Sequence, residues 1–158
     1  MSTSKRRTTR NKVLQALYAH EISRDPISGV SAMVFADLQS NPQELAFAQQ
    51  LVTEVLRHQE EIEQLIKGKV AHWELDRIAV IDHLLLRMGI CELLYFESIP
   101  PKVTINESIE IAKSFSTEKS GQFINGILDA VLEDLVRTKA LRKSGRGLVN
   151  SNLPAQKK

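Results

Sequence analysis

Apolar residues recur at intervals of three and four along most of the chain, which is the spacing of amphipathic helices. The first helix is predicted from about Ser4 to the Asp25-Pro26 pair, because the residue before a proline avoids the helical region. A short second helix is predicted over residues 30–38. A long third helix is predicted to begin at Pro42, where the missing N–H costs nothing, and to end at Lys67-Gly68.

The second half of the chain contains its most apolar segment. Between residues 76 and 96 apolar side chains surround the helix axis, which predicts a buried central helix. Two prolines at 100–101 stop this helix, and the Thr-Ile-Asn-Glu run at 104–107 fits a capping box that would begin the next one. A last helix is predicted after that, with Ser116 or Thr117 as its cap.

These elements define an all-α protein of about seven helices, because no stretch shows the alternation of a strand. We expect a single domain over residues 1–138, built from two packed helical sub-bundles at about residues 4–68 and 74–138. A flexible basic tail is expected over residues 139–158, which are rich in glycine, serine and basic residues without helical periodicity. A chain of 158 residues is long enough to bury one hydrophobic core.

The charged residues are distributed unevenly along the chain. The formal net charge is +2, yet all 19 acidic residues lie between Glu21 and Asp134. Five basic residues precede this middle region and seven follow it, so the middle itself carries a net charge of about −10. Two basic ends point to an anionic polymer as a partner, although solvated tails explain the charge alone equally well.

Several other classes of function find no support. The N-terminus has no apolar segment of the kind found in signal peptides, and no run approaches the ~18 apolar residues that span a bilayer. The single cysteine, Cys91, excludes an intrachain disulfide, so we expect a cytoplasmic protein. The four histidines lie on different predicted elements, which argues against a metal site. Glycine-rich phosphate loops and nucleophile elbows are missing, so we expect a protein without catalytic activity.

Two clusters of residues favour nucleic-acid binding. Arginines at the start of the first helix can grip phosphates with paired hydrogen bonds and stack on bases. Residues around the last predicted turn combine lysines with an aromatic ring for stacking and an amide that can read a base edge. For Phe123 taken alone, a core position continuous with Ile127 is the slightly better explanation. The two clusters are Arg6, Arg7 and Arg10, and Lys113, Lys119, Phe123 and Asn125.

Five blocks of sequence resemble the bacterial transcription antitermination family NusB. Their order and spacing make the resemblance specific, and it extends over roughly residues 5–135. It implies an all-helical domain of two packed bundles that binds RNA and has neither catalytic activity nor cofactor. The blocks are Arg6-Arg7 with Arg10, LQALY at 14–18, LR and EL within 86–93, INE and IAKSF within 105–115, and FINGILD at 123–129.

The resemblance also implies partners and a surface for each. Members of the family bind the boxA element of nascent RNA together with NusE, a small-subunit ribosomal protein. The resulting complex helps RNA polymerase to resist termination, chiefly on ribosomal RNA operons. The NusE-facing surface would lie near Tyr18 and Asp82, and both a monomer and a homodimer stay open. The implied RNA-facing residues are Arg6, Arg7, Arg10, Lys113, Lys119, Phe123 and Asn125, with Asn106 and Glu107 nearby.

Two features depart from the family pattern. Members often carry an acidic residue at the position of Lys119, so this chain is expected to hold phosphate more tightly and less selectively. The basic tail after Asp134 is also longer than the family requires. The alternative function is an RNA-docking module, since a similar helical domain precedes the catalytic part of some ribosomal RNA cytosine methyltransferases. A purely structural homodimer is a third interpretation.

Overall fold

The computed structural model describes residues 2–115 and 118–148. All regular elements within these residues are helical, so the predicted all-α class is confirmed. The described residues divide into two compact units, unit 1 ending at Arg57 and unit 2 beginning at His58. The α-helices are α1 (Ser2–Ser23), α2 (Ile27–Val34), α3 (Pro42–Arg57), α4 (Gln59–Lys67), α5 (His72–Leu75), α6 (Val80–Tyr95), α7 (Pro101–Phe115) and α8 (Glu118–Arg137), with 3₁₀ turns at Ala36–Leu38 and Gly145–Leu148.

Unit 1 is built from α1, α2 and α3, with α1 packed against the other two. The first helix ends at Ser23, as the Asp25-Pro26 pair predicts. The third begins at Pro42, and the side chain of Asn41 caps it by accepting the backbone N–H of Glu44 at 3.3 Å. The core residues of this unit are Val13, Leu14, Ala16, Leu17, Val30, Phe35, Leu38, Phe47, Ala48, Leu51, Val52 and Val55.

Unit 2 is organised around α6, which packs against α4, α7 and α8. The predicted central helix is therefore confirmed, although it begins at Val80 and is preceded by the four-residue helix α5. The buried apolar residues of α6 lie on all sides of its axis, because three neighbouring helices cover it. They are Leu84, Leu85, Leu86, Met88, Ile90, Cys91 and Leu93.

The predicted long third helix is wrong, because the chain leaves the helical conformation at His58. This residue has φ −109° and ψ 23°, and its carbonyl accepts the N–H of Ile62 at 3.0 Å, so it begins α4. Its ring stacks on Tyr95 with the centroids 4.0 Å apart. Neither glycine nor proline marks the break, which explains why the apolar periodicity did not reveal it.

The predicted capping box at 104–107 is also wrong, because α7 begins one turn earlier. Pro101 takes the first helical position, where its fixed φ suits the helix. The carbonyl of Pro100 accepts the backbone N–H groups of Val103 and Thr104 at 3.0 and 3.2 Å. Thr104 is buried, and its hydroxyl donates to Glu92 Oε1 at 2.8 Å instead of capping a helix. The predicted cap at Ser116 or Thr117 lies outside the described residues.

Residues 138–148, which include the first part of the predicted basic tail, lie against unit 2, and we name them the C-terminal strap. The chain turns back after α8 at Lys139, whose φ is 62°. The N–H groups of Lys139 and Ala140 donate to the carbonyls of Val136 and Leu135, which is the Schellman pattern with lysine at the position that usually holds glycine. The rest of the predicted tail, residues 149–158, lies outside the described residues.

The strap is held against the end of α6 by a buried lysine. Lys143 is 8% exposed, and its ammonium group donates to the carbonyls of Glu92 at 3.0 Å and Phe96 at 2.8 Å. Glu92 lies in the last turn of α6 and Phe96 follows its end, and each carbonyl also accepts one backbone N–H, from Phe96 and from Ile99, both at 3.1 Å. The strap also buries Leu141, and the N–H of Ser144 donates to the carbonyl of Glu97 at 3.0 Å.

The stability of the fold is expected to rise between pH 8 and about pH 10 through Lys143. Burial lowers the pKa of this lysine from 10.5 to about 8, although the charges of Glu92 and Glu97 act in the opposite direction. Below pH 8 the lysine is protonated in both states, so its contribution is constant. Above pH 8 the unfolded chain binds a proton that the folded chain has released, so the free energy of unfolding increases with pH.

Urea unfolding of the wild type and of Lys143→Met, at about pH 7 and about pH 9.5, measures this contribution. We expect the difference in free energy of unfolding between the two proteins to move in favour of the wild type at the higher pH. Because other groups titrate equally in both proteins, only the difference is interpreted. A difference that is the same at both pH values would contradict a desolvated ammonium.

Candidate nucleic-acid interface

The start of α1 and the first turns of α3 form an arginine cluster inside unit 1, consisting of Arg6, Thr9, Arg10, Glu44 and Phe47. Arg6 donates from Nε to Glu44 Oε1 at 2.9 Å and from Nη2 to Oε2 at 3.2 Å. Thr9 Oγ1 donates to the same Oε1 at 2.7 Å. The ring of Phe47 lies beneath both arginines, with the guanidinium carbons of Arg6 and Arg10 at 4.0 and 5.4 Å from its centroid.

The charge of Glu44 is stabilised by its partners. Burial raises the pKa of this carboxyl, but hydrogen bonds from Arg6 and Thr9 and the positive charges of Arg6 and Lys5 outweigh burial and lower the pKa below 4.5. The carboxylate is therefore ionised at neutral pH. The position of Glu44 follows from the local sequence, because Asn41 caps α3 and directs its third residue toward α1.

The three predicted arginines differ in exposure. The side chain of Arg6 is 31% exposed and Arg7 is half-buried, whereas Arg10 is only 4% exposed. Arg6 and Arg7 therefore reach solvent in this conformation, and Arg10 packs on Phe47. Direct contact between Arg10 and a ligand requires local side chains to move first.

The predicted residues of α7 divide between its two faces. Asn106 and Lys113 are exposed and seven positions apart, so they share one face of the helix. Lys113 Nζ donates to Glu110 Oε2 at 3.3 Å, and both side chains are solvent-exposed. Glu107 is 6% exposed and lies one turn before the buried Ile111. Its side chain is therefore not presented to a ligand in this conformation.

Lys119 and Phe123 lie one turn apart on α8, and both line a pocket of about 360 Å³ in unit 2. Lys119 is exposed and the ring of Phe123 is half-buried. Asn125 is exposed but points elsewhere, because two residues along a helix place it on a different face. The remaining lining residues are Glu74, Arg77, Ile78, Ala79, Asp82 and Ser120.

Asp82 lies in the wall of this pocket rather than on an open surface. It is 8% exposed, and Ser120 Oγ donates to its Oδ2 at 3.0 Å. Its Oδ1 atom is buried and has no hydrogen-bond partner among the residues that the structure describes. Asp82 is thus adjacent to Lys119 and Phe123, while the second residue predicted to face NusE, Tyr18, is exposed on α1 of unit 1.

Sequence reasoning missed three polar residues of the pocket, Glu74, Arg77 and Ser120. The first two lie in and after α5, a four-residue helix too short to leave a periodic signal. Ser120 follows Lys119 directly, so its position beside the predicted cluster was the only available indication.

The histidine and cysteine side chains form no metal centre within the described ranges 2–115 and 118–148. Those residues contain no group of three or more His, Cys, Asp and Glu side chains placed to hold a metal ion. His83 Nε2 instead lies 2.8 Å from Glu63 Oε2, and Cys91 is fully buried in α6. None of the described helices is long and apolar enough to cross a membrane.

The fold defines an all-helical protein built from two compact units. A model of the NusB family matches residues 7–133. The transcription antitermination protein NusB of Salinibacter ruber is 45% identical over 147 residues, which cover 92% of each chain. That of Chloroherpeton thalassium is 40% identical over 153 residues, covering 96% of this chain and 72% of its own. The chain therefore belongs to the NusB family.

Solved structures show the same fold. T. maritima NusB superposes with a TM-score of 0.76 at 34% identity, over 82% of this chain and 91% of that one. A second structure contains the antitermination factors NusB and NusE in complex with double-stranded RNA. It superposes with a TM-score of 0.74 at 25% identity, over 82% of this chain and 96% of the matched chain.

Proposed function

We propose that this chain is a non-catalytic transcription antitermination factor that binds the boxA element of ribosomal RNA transcripts together with NusE. The observation that carries the proposal is the 45% identity with an antitermination protein over 92% of both chains. A solved relative in complex with NusE and double-stranded RNA supports NusE and RNA, as a class of polymer, as partners. The complex would act on RNA polymerase in the cytoplasm.

Each unit contributes residues suited to single-stranded RNA. In unit 1, Arg6 and Arg7 reach solvent and supply positive charge for phosphates. In unit 2, the exposed Lys119 beside the half-buried ring of Phe123 combines a phosphate ligand with a stacking face. The exposed amide of Asn125 can read a base edge. Charge supplies affinity in this arrangement, while stacking and amides supply preference for particular bases.

The surface proposed for NusE includes Tyr18. This residue is 40% exposed on α1, and Ile22, one turn further along the same face, is 57% exposed. An aromatic side chain next to an aliphatic one on an open helix face is typical of the core of a protein interface. Asp82 is 8% exposed in the wall of the pocket, so it contacts NusE only if a side chain of NusE enters that pocket.

Fluorescence anisotropy of a short labelled boxA RNA, against a shuffled RNA of the same composition, tests the proposed function. We expect tighter binding to boxA, and a preference that increases when NusE is present, because NusE adds contact area. Titrations over a salt series should give a log–log slope of about −0.7 for each phosphate contact. Equal and steeply salt-dependent binding to both RNAs would contradict a boxA-specific role.

A methyl-transfer assay with S-adenosylmethionine on the same RNA separates this proposal from the docking-module alternative. We expect no transfer from the chain alone. Methylation of the RNA would contradict the non-catalytic part of the proposal.

A further inference from the structure

The guanidinium group of Arg6 is held on two sides inside unit 1. The carboxylate of Glu44 engages its Nε and one Nη2 hydrogen, and the ring of Phe47 supports its face at 4.0 Å. We propose that Glu44 and Phe47 are positioning residues that fix Arg6 for an RNA phosphate. This inference rests on the proposed RNA-binding function, and it assigns roles to two residues that do not themselves contact RNA.

Arg6, the proposed phosphate-binding residue, and Glu44, the proposed positioning residue, differ in burial. The side chain of Glu44 is 9% exposed, whereas that of Arg6 is 31% exposed, so the ion pair runs from the interior of unit 1 to solvent. A guanidinium carries five N–H donors in one plane, and Glu44 uses two of them. The other donors point away from the carboxylate, where a phosphate oxygen can accept them.

The positions of Glu44 and Phe47 are fixed by neighbouring residues and by α3. Thr9 donates to Glu44 Oε1, and the Asn41 cap holds the backbone N–H of Glu44. Phe47 lies three positions further on α3 and therefore beside Glu44 on the same helix face. A long, flexible arginine side chain loses rotamer freedom when it binds a phosphate, but here that freedom is already lost on folding.

Two effects of Glu44 on RNA binding have opposite signs. The carboxylate repels phosphates and partly neutralises Arg6, which would weaken binding. It also orders the guanidinium, which strengthens binding. The bidentate geometry, the stacked ring and the burial of the acid favour ordering, because a purely neutralising acid needs none of them. Removal of the Glu44 charge should therefore weaken RNA binding rather than strengthen it.

Anisotropy titrations with labelled boxA RNA over a salt series, on the full chain, test this inference. Glu44→Gln keeps the side-chain shape, and Phe47→Leu keeps an apolar contact while removing the stacking face. We expect Glu44→Gln to weaken binding about two- to twelve-fold, the effect of ordering one rotamer-rich side chain. The magnitude of the salt slope should fall by up to about 0.7, equivalent to one phosphate contact.

Comparison of Arg6→Gln with the double variant Arg6→Gln and Glu44→Gln tests whether Glu44 affects RNA affinity through Arg6. If Glu44 acts through Arg6, the second substitution adds no further loss of RNA affinity once Arg6 is absent. A merely structural role of Glu44 would lower affinity equally in both backgrounds, which would overturn the inference. Urea unfolding of each variant confirms that the titrated protein is folded, and Phe47→Leu supplies the second test where Glu44→Gln is unstable.

The outcomes separate the inference from the proposed function. Tighter RNA binding by Glu44→Gln would show that the carboxylate competes with RNA, and would overturn the positioning role while leaving Arg6 as a ligand. Unchanged RNA affinity and an unchanged salt slope in Arg6→Gln would show that Arg6 does not bind an RNA phosphate. The positioning role of Glu44 and Phe47 would then be overturned as well. Binding that is weakened in Arg6→Gln but unchanged in both Glu44→Gln and Phe47→Leu would overturn the inference alone.

Discussion

Replacement of Gly147 by alanine is expected to release the C-terminal strap from unit 2. A Cβ atom at this position would lie 1.9 Å from the backbone oxygen of Glu97 and 3.0 Å from its carbonyl carbon. Because the obstacle is backbone rather than a flexible side chain, the strap must move away. Its release exposes Leu141 and breaks the hydrogen bonds of Lys143, so the free energy of unfolding should fall by about 2 kcal/mol.

Urea unfolding measures the loss, and limited digestion with trypsin reports the release directly. Trypsin cleaves after lysine and arginine, and the strap contains Lys139, Arg142, Lys143 and Arg146, of which Lys143 is buried while docked. The matched control is Gly126→Ala on α8, where an added Cβ meets nothing within 4 Å. That substitution should stabilise the helix by up to about 1 kcal/mol. Equal stability and equal digestion of Gly147→Ala and the wild type would contradict a docked strap.

The long helices could be predicted from the periodicity of their apolar residues. The break between α3 and α4 and the docking of the C-terminal strap could not. The apolar spacing located α1, α3 and the buried α6 because each repeats its pattern over several turns. The break at His58 occupies one residue, and its ring contact with Tyr95 joins positions far apart in the chain. The strap depends on one leucine, one lysine and one glycine, too few for any period.

The candidate site shows the same division. Residue type identified Arg6, Lys119 and Phe123 as candidate RNA ligands, and these assignments stay predictions. The pairing of Arg6 with Glu44 spans 38 positions, so no local pattern could indicate it. Burial of Glu107 was accessible in principle, because it lies one turn before Ile111 on the core face of α7. The capping-box interpretation obscured that spacing.

Substitution of Phe123 by alanine is expected to lower the affinity for boxA RNA by about 5- to 150-fold, the range of 1–3 kcal/mol that aromatic–base stacking contributes. The half-buried ring lines the pocket beside Lys119, one turn before the buried Ile127, so part of it packs and part faces solvent. Alanine removes both contributions, and its effect on stability must be measured separately by urea unfolding.

Phe123→Leu separates stacking from packing, because leucine keeps an apolar side chain in the helix but offers no flat face to a base. We expect Phe123→Leu to retain most of the stability of the wild type and to lose most of the RNA affinity that Phe123→Ala loses. The salt slope should stay near that of the wild type in both variants, since stacking releases no counterions. A folded Phe123→Leu that binds boxA as tightly as the wild type would show that Phe123 contributes only to packing.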